Sequence, residues 1–147
     1  MPSKLVKLDH VGIVVDDLAA ATAFFTALGM TIEGRAPIEG KWVDRINAID
    51  SVKVDIVMLR TPDGQGLELT KFHHPELVKV EPAVAPPNAA GLRNLMFQVE
   101  SVDDSVAMLR AHGGELIGEV VNYENIYRLC YVRGPAGVIV ALAEALS

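Results

Sequence analysis

The chain contains an internal repeat, and this repeat constrains the fold more than any other feature of the sequence. Residues 8–15, with the sequence LDHVGIVV, are echoed 84 positions later by NLMFQV at residues 94–99. Further along, an offset of 73 places the TPDG turn at residues 61–64 on the GPAG turn at residues 134–137. Similarity at a nearly fixed offset indicates two structural modules with the same order of elements.

Both modules are predicted to have the order βαβββ. Short β-branched or apolar runs indicate the strands, and apolar residues at helical spacing between a capping residue and a glycine indicate the helices. In the first module we predict a strand at residues 8–15, a helix at 17–28 and strands at 30–34, 52–60 and 67–72. In the second we predict a strand at residues 94–99, a helix at 102–112 and strands at 115–123, 127–133 and 138–143.

The predicted module boundaries follow the prolines. Residues 73–91 hold four prolines and little periodicity, which indicates a linker between a first module at residues 4–72 and a second at residues 92–147. Modules of this size would each be marginally stable alone, so we expect residues 1–147 to form one domain with a shared core.

Charge and composition exclude several classes of protein. The net charge of −6 argues against a nucleic-acid partner, because such proteins concentrate Lys and Arg. No apolar run approaches the length of a membrane span and the N-terminus lacks a signal-peptide pattern, so we expect a cytoplasmic protein without membrane contact. The single cysteine, Cys130, lies in a predicted strand and is interpreted as a buried structural thiol.

One helix cannot cover both faces of a four-stranded sheet. We therefore expect an α+β fold in which the two modules form a cupped, eight-stranded mixed sheet, with the helices on its convex side and a ligand on its concave side. Alternation of side chains along a strand predicts which residues line this cup. They are His10, Glu68 and Phe72 in the first module and Asn94, Met96 and Gln98 in the second.

Paired βαβββ modules, a first strand containing DHVGI, and the sequence PDGQGLEL at residues 62–69 together resemble the vicinal oxygen chelate superfamily. This is the superfamily of glyoxalases, bleomycin-resistance proteins and extradiol dioxygenases. The resemblance extends over nearly the whole chain. It implies the cupped fold, a small-molecule ligand and, in many members, a divalent metal ion.

The resemblance also implies where metal ligands would lie. Members with metal chemistry use the first and last strands of each module, which here gives His10, Glu68, Asn94 and Ala141. Asn94 is a poor ligand and Ala141 has no donor atom, so we expect no cofactor or a weakly bound divalent metal on His10 and Glu68. Glu144, three positions beyond Ala141, has the opposite strand parity and is expected to point away from the cup.

Further candidates for substrate binding are Trp42, Tyr127 and Arg128. Trp42 lies in the segment by which the first module is longer, at residues 39–45, which we interpret as a polar loop. Its indole is expected either to cover the cavity or to contact a neighbouring subunit. If Arg128 faced the cup, its guanidinium would favour a ligand with a carboxylate or a phosphate.

Two functions of different class remain open. In the first, the chain is a glyoxalase-like enzyme of lyase or isomerase type that uses His10 and Glu68 as acid–base groups. In the second, it is a metal-free binding protein that sequesters an apolar or aromatic small molecule, as bleomycin-resistance relatives do. In either case we expect a homodimer, because relatives often complete their cups by pairing modules of different chains and open sheet edges need cover.

Overall fold

The computed structural model describes residues 2–146 and contains two four-stranded mixed sheets. The elements of the first repeat are β1 (His10–Val14), α1 (Leu18–Leu28), β2 (Thr31–Glu39), α2 (Lys41–Asn47), β3 (Lys53–Arg60) and β4 (Gly66–His74). Those of the second repeat are β5 (Asn94–Gln98), α3 (Val102–Arg110), β6 (Glu115–Tyr123), β7 (Tyr127–Arg133), a 3-10 turn (Pro135–Gly137) and β8 (Ile139–Ala145). The predicted α+β class with two βαβββ repeats is confirmed, and α2 is an additional helix.

The repeat in the sequence corresponds to a repeat in topology. The first sheet has the order β1-β4-β3-β2, and the second has the equivalent order β5-β8-β7-β6. In each sheet the first strand runs parallel to the last strand of the repeat, and the other neighbours are antiparallel. The first strand of each repeat, β1 or β5, therefore lies at an edge of its sheet, beside the strand that carries the second predicted ligand position.

The prediction of a polar loop at residues 39–45 is wrong, because β2 continues to Glu39 and α2 begins at Lys41. The helix is anchored from two sides. Val43 is buried in a cluster with Val52 and Val54. Asp44 accepts hydrogen bonds from the backbone N–H groups of Ser51 at 3.0 Å and Val52 at 2.8 Å. These contacts link residues seven and eight positions apart, so they do not appear as a local sequence pattern.

Other element boundaries differ by a few residues. Strand β4 continues to His74, two residues into the predicted linker, and α3 ends at Arg110 instead of His112. The start of α3 is as predicted, since the Ser101 hydroxyl accepts a hydrogen bond from the Asp104 N–H at 3.1 Å. Such a side-chain cap satisfies one of the free amides at a helix start.

Contacts divide the described residues into two compact units. The first contains residues 2–18 and 29–77, and the second contains residues 19–28 and 78–146. Helix α1 therefore groups with the second sheet, although we expected each helix to cover the sheet of its own repeat. In the second unit the Phe25 ring lies 6.4 Å from the Phe97 ring, measured between centroids. Such aromatic pairs contribute beyond the area that they bury.

Alternation predicts the burial along β4, but it does not hold throughout the two sheets. Val54 is buried on the face that carries Glu68, and all five residues of β8 from Ile139 to Ala143 are buried. In the first sheet Leu67 and Leu69 are fully buried, whereas Glu68 between them is on the opposite, partly exposed face. In the second sheet Leu142 and Cys130 are buried as register partners, which confirms the predicted burial of this thiol. Within residues 2–146, no helix is long and apolar enough to cross a membrane.

The second half of the linker is fixed to the turn between β7 and β8. The Arg133 guanidinium donates hydrogen bonds from Nη1 to the carbonyl oxygens of Ala85 at 2.7 Å and Gly137 at 2.9 Å. Gly137 has a φ of +74°, and a Cβ added there would lie 2.2 Å from the Ala83 carbonyl oxygen. A glycine is therefore required both for the backbone conformation and for the close approach of the linker.

Candidate functional site

The structure brings His10 and Glu68 together on the exposed face of the first sheet. Parallel pairing of β1 with β4 places Gly12 opposite Glu68, so His10 lies in the adjacent row on the same face. The His10 Nε2 atom is 3.7 Å from Glu68 Oε2. This separation is within ion-pair range but too long for a direct hydrogen bond. The side chains are 36% and 26% exposed, so both groups can meet a ligand or solvent.

Each of the two side chains is oriented by a neighbour. The Asp9 carboxylate lies 2.8 Å from His10 Nδ1, on the side of the ring away from Glu68. This hydrogen bond lowers the pKa of Asp9, and the charges of Arg60 and Lys7 act in the same direction. Glu68 accepts a hydrogen bond through Oε1 from the Thr70 hydroxyl at 3.1 Å, and its Oε2 faces His10. Asp9 was not among the residues predicted from the sequence.

Arg60 holds the backbone at the start of β1. Its Nη1 donates hydrogen bonds to the carbonyl oxygens of Asp9 at 3.2 Å and Gly64 at 3.4 Å. Its Nε forms an ion pair with Glu33, and this pair raises the pKa of Arg60. The guanidinium passes next to Gly66, the register partner of His10.

Gly66 has no room for a side chain. An added Cβ would lie 2.6 Å from the Asp9 carbonyl oxygen, 2.6 Å from Arg60 Nη1 and 2.8 Å from the His10 Cβ. A glycine inside a strand often marks such a close approach, so this contact had a sequence signal that the prediction did not use.

Phe72 and Trp42 lie at the α2 end of the first sheet. Phe72 shares the face of Glu68 by alternation along β4, and it packs against the cluster formed by Val43, Val52 and Val54. Trp42 is on α2, with 60% of its surface exposed. Phe72 therefore supports α2, whereas the Trp42 indole is free to contact a ligand or a partner.

The corresponding face of the second sheet is exposed along β5 but buried along β8, where Ile139, Ala141 and Ala143 are at most 6% exposed. Asn94, Met96 and Gln98 alternate with the more buried Leu95 and Phe97 along β5. In the register of the sheet, Met96 pairs with Ala141, and Gln98 pairs with Ala143. Tyr127 pairs with Ala145, two residues farther along β8, so it belongs to the same face. These residues give a mixed polar and apolar surface without a carboxylate, an imidazole or a cationic side chain at the positions named.

Arg128 points to the opposite face, because it follows Tyr127 directly and side chains alternate along β7. Its guanidinium forms a bidentate ion pair with Asp103 at 2.9 and 3.0 Å, near the start of α3. This pair lowers the pKa of Asp103 and raises that of Arg128. The arginine stabilises the helix-covered side of the sheet, so it gives no support to an anionic ligand on the exposed face.

Glu144 behaves as its strand parity predicts. It is the register partner of Arg128, and its Oε1 accepts a hydrogen bond from the Val102 N–H at 2.8 Å. The carboxylate therefore stabilises the first turn of α3, where negative charge also interacts favourably with the helix dipole. It does not replace the donor that is missing at Ala141.

Comparison with known proteins identifies the family. The sequence model of the Glyoxalase/Bleomycin resistance protein/Dioxygenase superfamily matches residues 7–142. The chain belongs to this superfamily.

Individual relatives agree with this assignment. A crystal structure of a glyoxalase family protein from Bacillus cereus has 46% sequence identity and a TM-score of 0.93, over 99% of this chain and 97% of that one. The uncharacterised protein YaeR of Escherichia coli strain K12 is 28% identical, over 95% of this chain and 97% of its own length. Glyoxalase I of Leishmania major, described as trypanothione-dependent, has 22% identity and a TM-score of 0.65, over 95% of this chain and 87% of that one. At this lower identity the similarity shows the fold alone.

The donor atoms of this superfamily member do not fit a tightly held divalent ion. The first sheet offers His10 Nε2 and Glu68 Oε2, whereas the corresponding positions of the second sheet hold an amide, Asn94, and a buried methyl group, Ala141. In the part of the chain that the structure describes, no three His, Cys, Asp or Glu side chains are grouped as a metal site would require. Three protein ligands are the usual minimum for a catalytic zinc ion.

Two further histidines, His73 and His74, lie at the end of β4, and each contacts a residue outside the candidate site. His73 Nε2 lies 2.8 Å from the Asp55 carboxylate, and His74 Nδ1 donates a hydrogen bond to the Ser51 carbonyl oxygen at 2.7 Å. Both histidines therefore make contacts that hold the end of β4 to the residues beside it.

Proposed function

We propose that this superfamily member acts on a small organic molecule as a lyase or isomerase, with His10 and Glu68 as the acid–base pair. The observation that carries the proposal is the 3.7 Å separation of His10 Nε2 from Glu68 Oε2 on an exposed face. Two titratable groups of different basicity at this distance can remove a proton from one atom of a ligand and return it to another. The similarity to glyoxalases supports this class of reaction.

Each group of the pair has one atom available for a ligand. The Oε1 of Glu68 is engaged by Thr70, so Oε2 is the oxygen that accepts a proton. The Nδ1 of His10 is engaged by Asp9, so Nε2 is the nitrogen that exchanges one. Because the residues do not fit a bound metal ion, no step is assigned to one. A positioned acid or base of this kind contributes about 10²–10⁴-fold to a rate.

Substrate contacts are proposed separately for each unit. In the first unit Trp42 and Phe72 lie at the α2 end of the face that carries the acid–base pair. In the second unit we propose Asn94, Met96, Gln98 and Tyr127, which are exposed and lie on one face of the sheet. Arg128 is left out of the proposed site, since its guanidinium is paired with Asp103 on the other face.

A second candidate function is metal-free sequestration of an apolar or aromatic small molecule. The observation that favours it is Ala141, which is fully buried and supplies neither a metal ligand nor a base where glyoxalase-like relatives are expected to have one. The exposed Trp42 indole suits the binding of an apolar ligand. A binding protein would return the ligand chemically unchanged, whereas an enzyme would convert it.

The two functions are separated by one set of measurements. Trp42 is the only tryptophan, so a panel of small aromatic and polar compounds can be screened by its fluorescence, with Trp42→Phe as the variant that must lose the signal. For a compound that wild type converts, His10→Ala and Glu68→Ala should retain the fluorescence response but slow turnover by about 10²–10⁴-fold. His73→Ala, which changes an exposed histidine paired with Asp55, is the matched control.

Conversion at the wild-type rate in both variants would refute the acid–base proposal. Loss of binding in both would place the ligand elsewhere or show that a metal ion holds it. A bound compound recovered unchanged, with affinities reduced only by about 1 kcal/mol per lost hydrogen bond, would support sequestration.

We also propose that the protein is a cytoplasmic homodimer. Strands β1 and β5 each lie at an edge of their sheet, and unpaired edges need cover. Before β1, the side chains of Leu5 and Val6 are 91% exposed, and contact with a second chain would remove this apolar surface from water. Light scattering after size exclusion should give twice the chain mass. The mass of one chain at every concentration would contradict the proposal.

A further inference from the structure

We infer that Asp9 is a positioning residue that fixes the tautomer of His10, so that this histidine carries its proton on Nδ1 and presents Nε2 towards Glu68. The role of this arrangement in ligand chemistry rests on the proposed function. The arrangement itself is a property of the ligand-free protein, and it can be tested without a substrate.

The hydrogen bond determines which nitrogen is free. An ionised carboxylate is only an acceptor, so at 2.8 Å from Asp9 Oδ2 the Nδ1 atom must be the donor. In the neutral imidazole the other nitrogen, Nε2, then has a lone pair and faces Glu68 Oε2 at 3.7 Å. The choice of tautomer by the partner of the second nitrogen is a general property of histidine sites.

The position of Asp9 is itself fixed. Its carbonyl oxygen accepts a hydrogen bond from Arg60 Nη1 at 3.2 Å, and the same guanidinium atom contacts the Gly64 carbonyl oxygen in the turn between β3 and β4. Gly66 allows this packing, because its Cα lies against both the Asp9 carbonyl group and the arginine. The Asp9 side chain is 54% exposed, but its backbone is held at two points, by Arg60 and by β1 directly after it.

The chain supplies its own reference histidines. His74 Nδ1 contacts the Ser51 carbonyl oxygen, which can only accept, so His74 must carry a proton on Nδ1. His73 contacts Asp55 through Nε2, so it should show the opposite tautomer. With four histidines in the sequence, each signal can be assigned by a single His→Gln substitution.

The test is a long-range ¹H–¹⁵N correlation spectrum of ligand-free protein with ¹⁵N-labelled histidine. It is recorded at a pH high enough that the imidazole signals do not change when the pH is raised further. Wild type should show His10 and His74 mainly as the Nδ1–H form and His73 as the Nε2–H form. In Asp9→Ala, His10 should change to mainly the Nε2–H form, which histidine favours in water, with the other signals unchanged. Asp55→Ala is the matched control and should leave His10 unaltered.

Two results would overturn the inference. One is a wild-type spectrum in which His10 is mainly Nε2–H. The other is an Asp9→Ala variant that keeps the Nδ1–H form while the rest of its spectrum shows a folded protein. If the tautomer behaves as expected but no compound is converted or bound, the proposed function fails and the assignment of Asp9 stands.

Discussion

Replacing Gly66 by Ala tests how tightly the start of β1 is packed against the turn between β3 and β4. The new Cβ would lie 2.6 Å from the Asp9 carbonyl oxygen, and Cβ contacts below 3.0 Å are essentially never found in proteins. The backbone of β1 must therefore move by at least about 0.4 Å, because the obstacle is a main-chain atom and not a flexible side chain. The Arg60 guanidinium, also at 2.6 Å, must shift with it.

We expect a loss of about 1–3 kcal/mol in the free energy of unfolding, which is the usual cost of one extra methyl group in a fully packed place. For a chain of this length, each kcal/mol corresponds to a change of about 2–4 °C in Tm. The Tm of Gly66→Ala should therefore fall by roughly 2–12 °C in a thermal scan monitored by circular dichroism. The amide signals of Asp9 and His10 should also shift in a ¹H–¹⁵N spectrum.

Gly12→Ala is the matched control for this change. Gly12 lies on the same face of the first sheet, opposite Glu68, and an added Cβ meets nothing within 4 Å. Its stability should be unchanged or higher by up to about 1 kcal/mol, because alanine restricts the unfolded chain more than glycine does. If Gly66→Ala were as stable as Gly12→Ala, the Asp9 carbonyl group would not be packed as described and the argument for a fixed Asp9 would fail.

Three further predictions concern metal, pH and the thiol. Addition of 1 mM Zn²⁺, Ni²⁺ or Mn²⁺ should change the Tm little. Tight binding would instead raise the free energy of unfolding by about 2.7 kcal/mol at a hundredfold excess of metal over Kd. Such a gain with one metal would contradict the prediction that Asn94 and Ala141 leave the metal site incomplete. Arg128 lowers the pKa of Asp103 in the folded state. The ionised carboxylate therefore stabilises the fold at pH values above the ordinary aspartate pKa of about 3.9. This stabilisation is lost as the pH falls through the lowered pKa. Asp103→Asn should thus be less stable than wild type at pH 7, by a difference that shrinks as the pH falls below the ordinary pKa, and a difference that does not change with pH would be inconsistent with the ion pair. Burial raises the pKa of Cys130, so a thiol reagent should label it only after unfolding, and rapid labelling of the native protein would show that the strand opens.

Local patterns in the sequence were sufficient for most of the fold. Alternation along the strands correctly separated Glu68 from Leu67 and Leu69, and it placed Glu144 on the side away from Ala141. The repeat predicted two modules with the same topology, because duplicated apolar runs and turns bring the same pairing constraints with them. Tyr127 and Arg128 are adjacent in one strand, so the same alternation places their side chains on opposite faces of the sheet. The sequence prediction should therefore not have assigned both residues to one binding site.

The errors arose where a contact joins distant positions. The anchoring of α2 depends on Asp44 reaching two backbone amides beyond the next turn, and no periodic pattern encodes this. The grouping of α1 with the second sheet depends on the fit of Phe25 to Phe97, whereas helical spacing only shows that an apolar face exists. Asp9 was missed because no local pattern shows that its carboxylate turns towards His10, and its backbone is held by Arg60, 51 residues away.

The contact between the linker and the turn at Pro135–Gly137 limits how this duplicated chain can diverge. Arg133 binds the Ala85 carbonyl group, and Gly137 leaves no space beside Ala83, so residues 83–85 are effectively part of the second repeat. An insertion or deletion within these three residues would change which backbone atoms face Arg133 and Gly137. Residues 75–82 form no strand or helix and do not take part in these contacts, so length changes between the repeats should accumulate there among homologues.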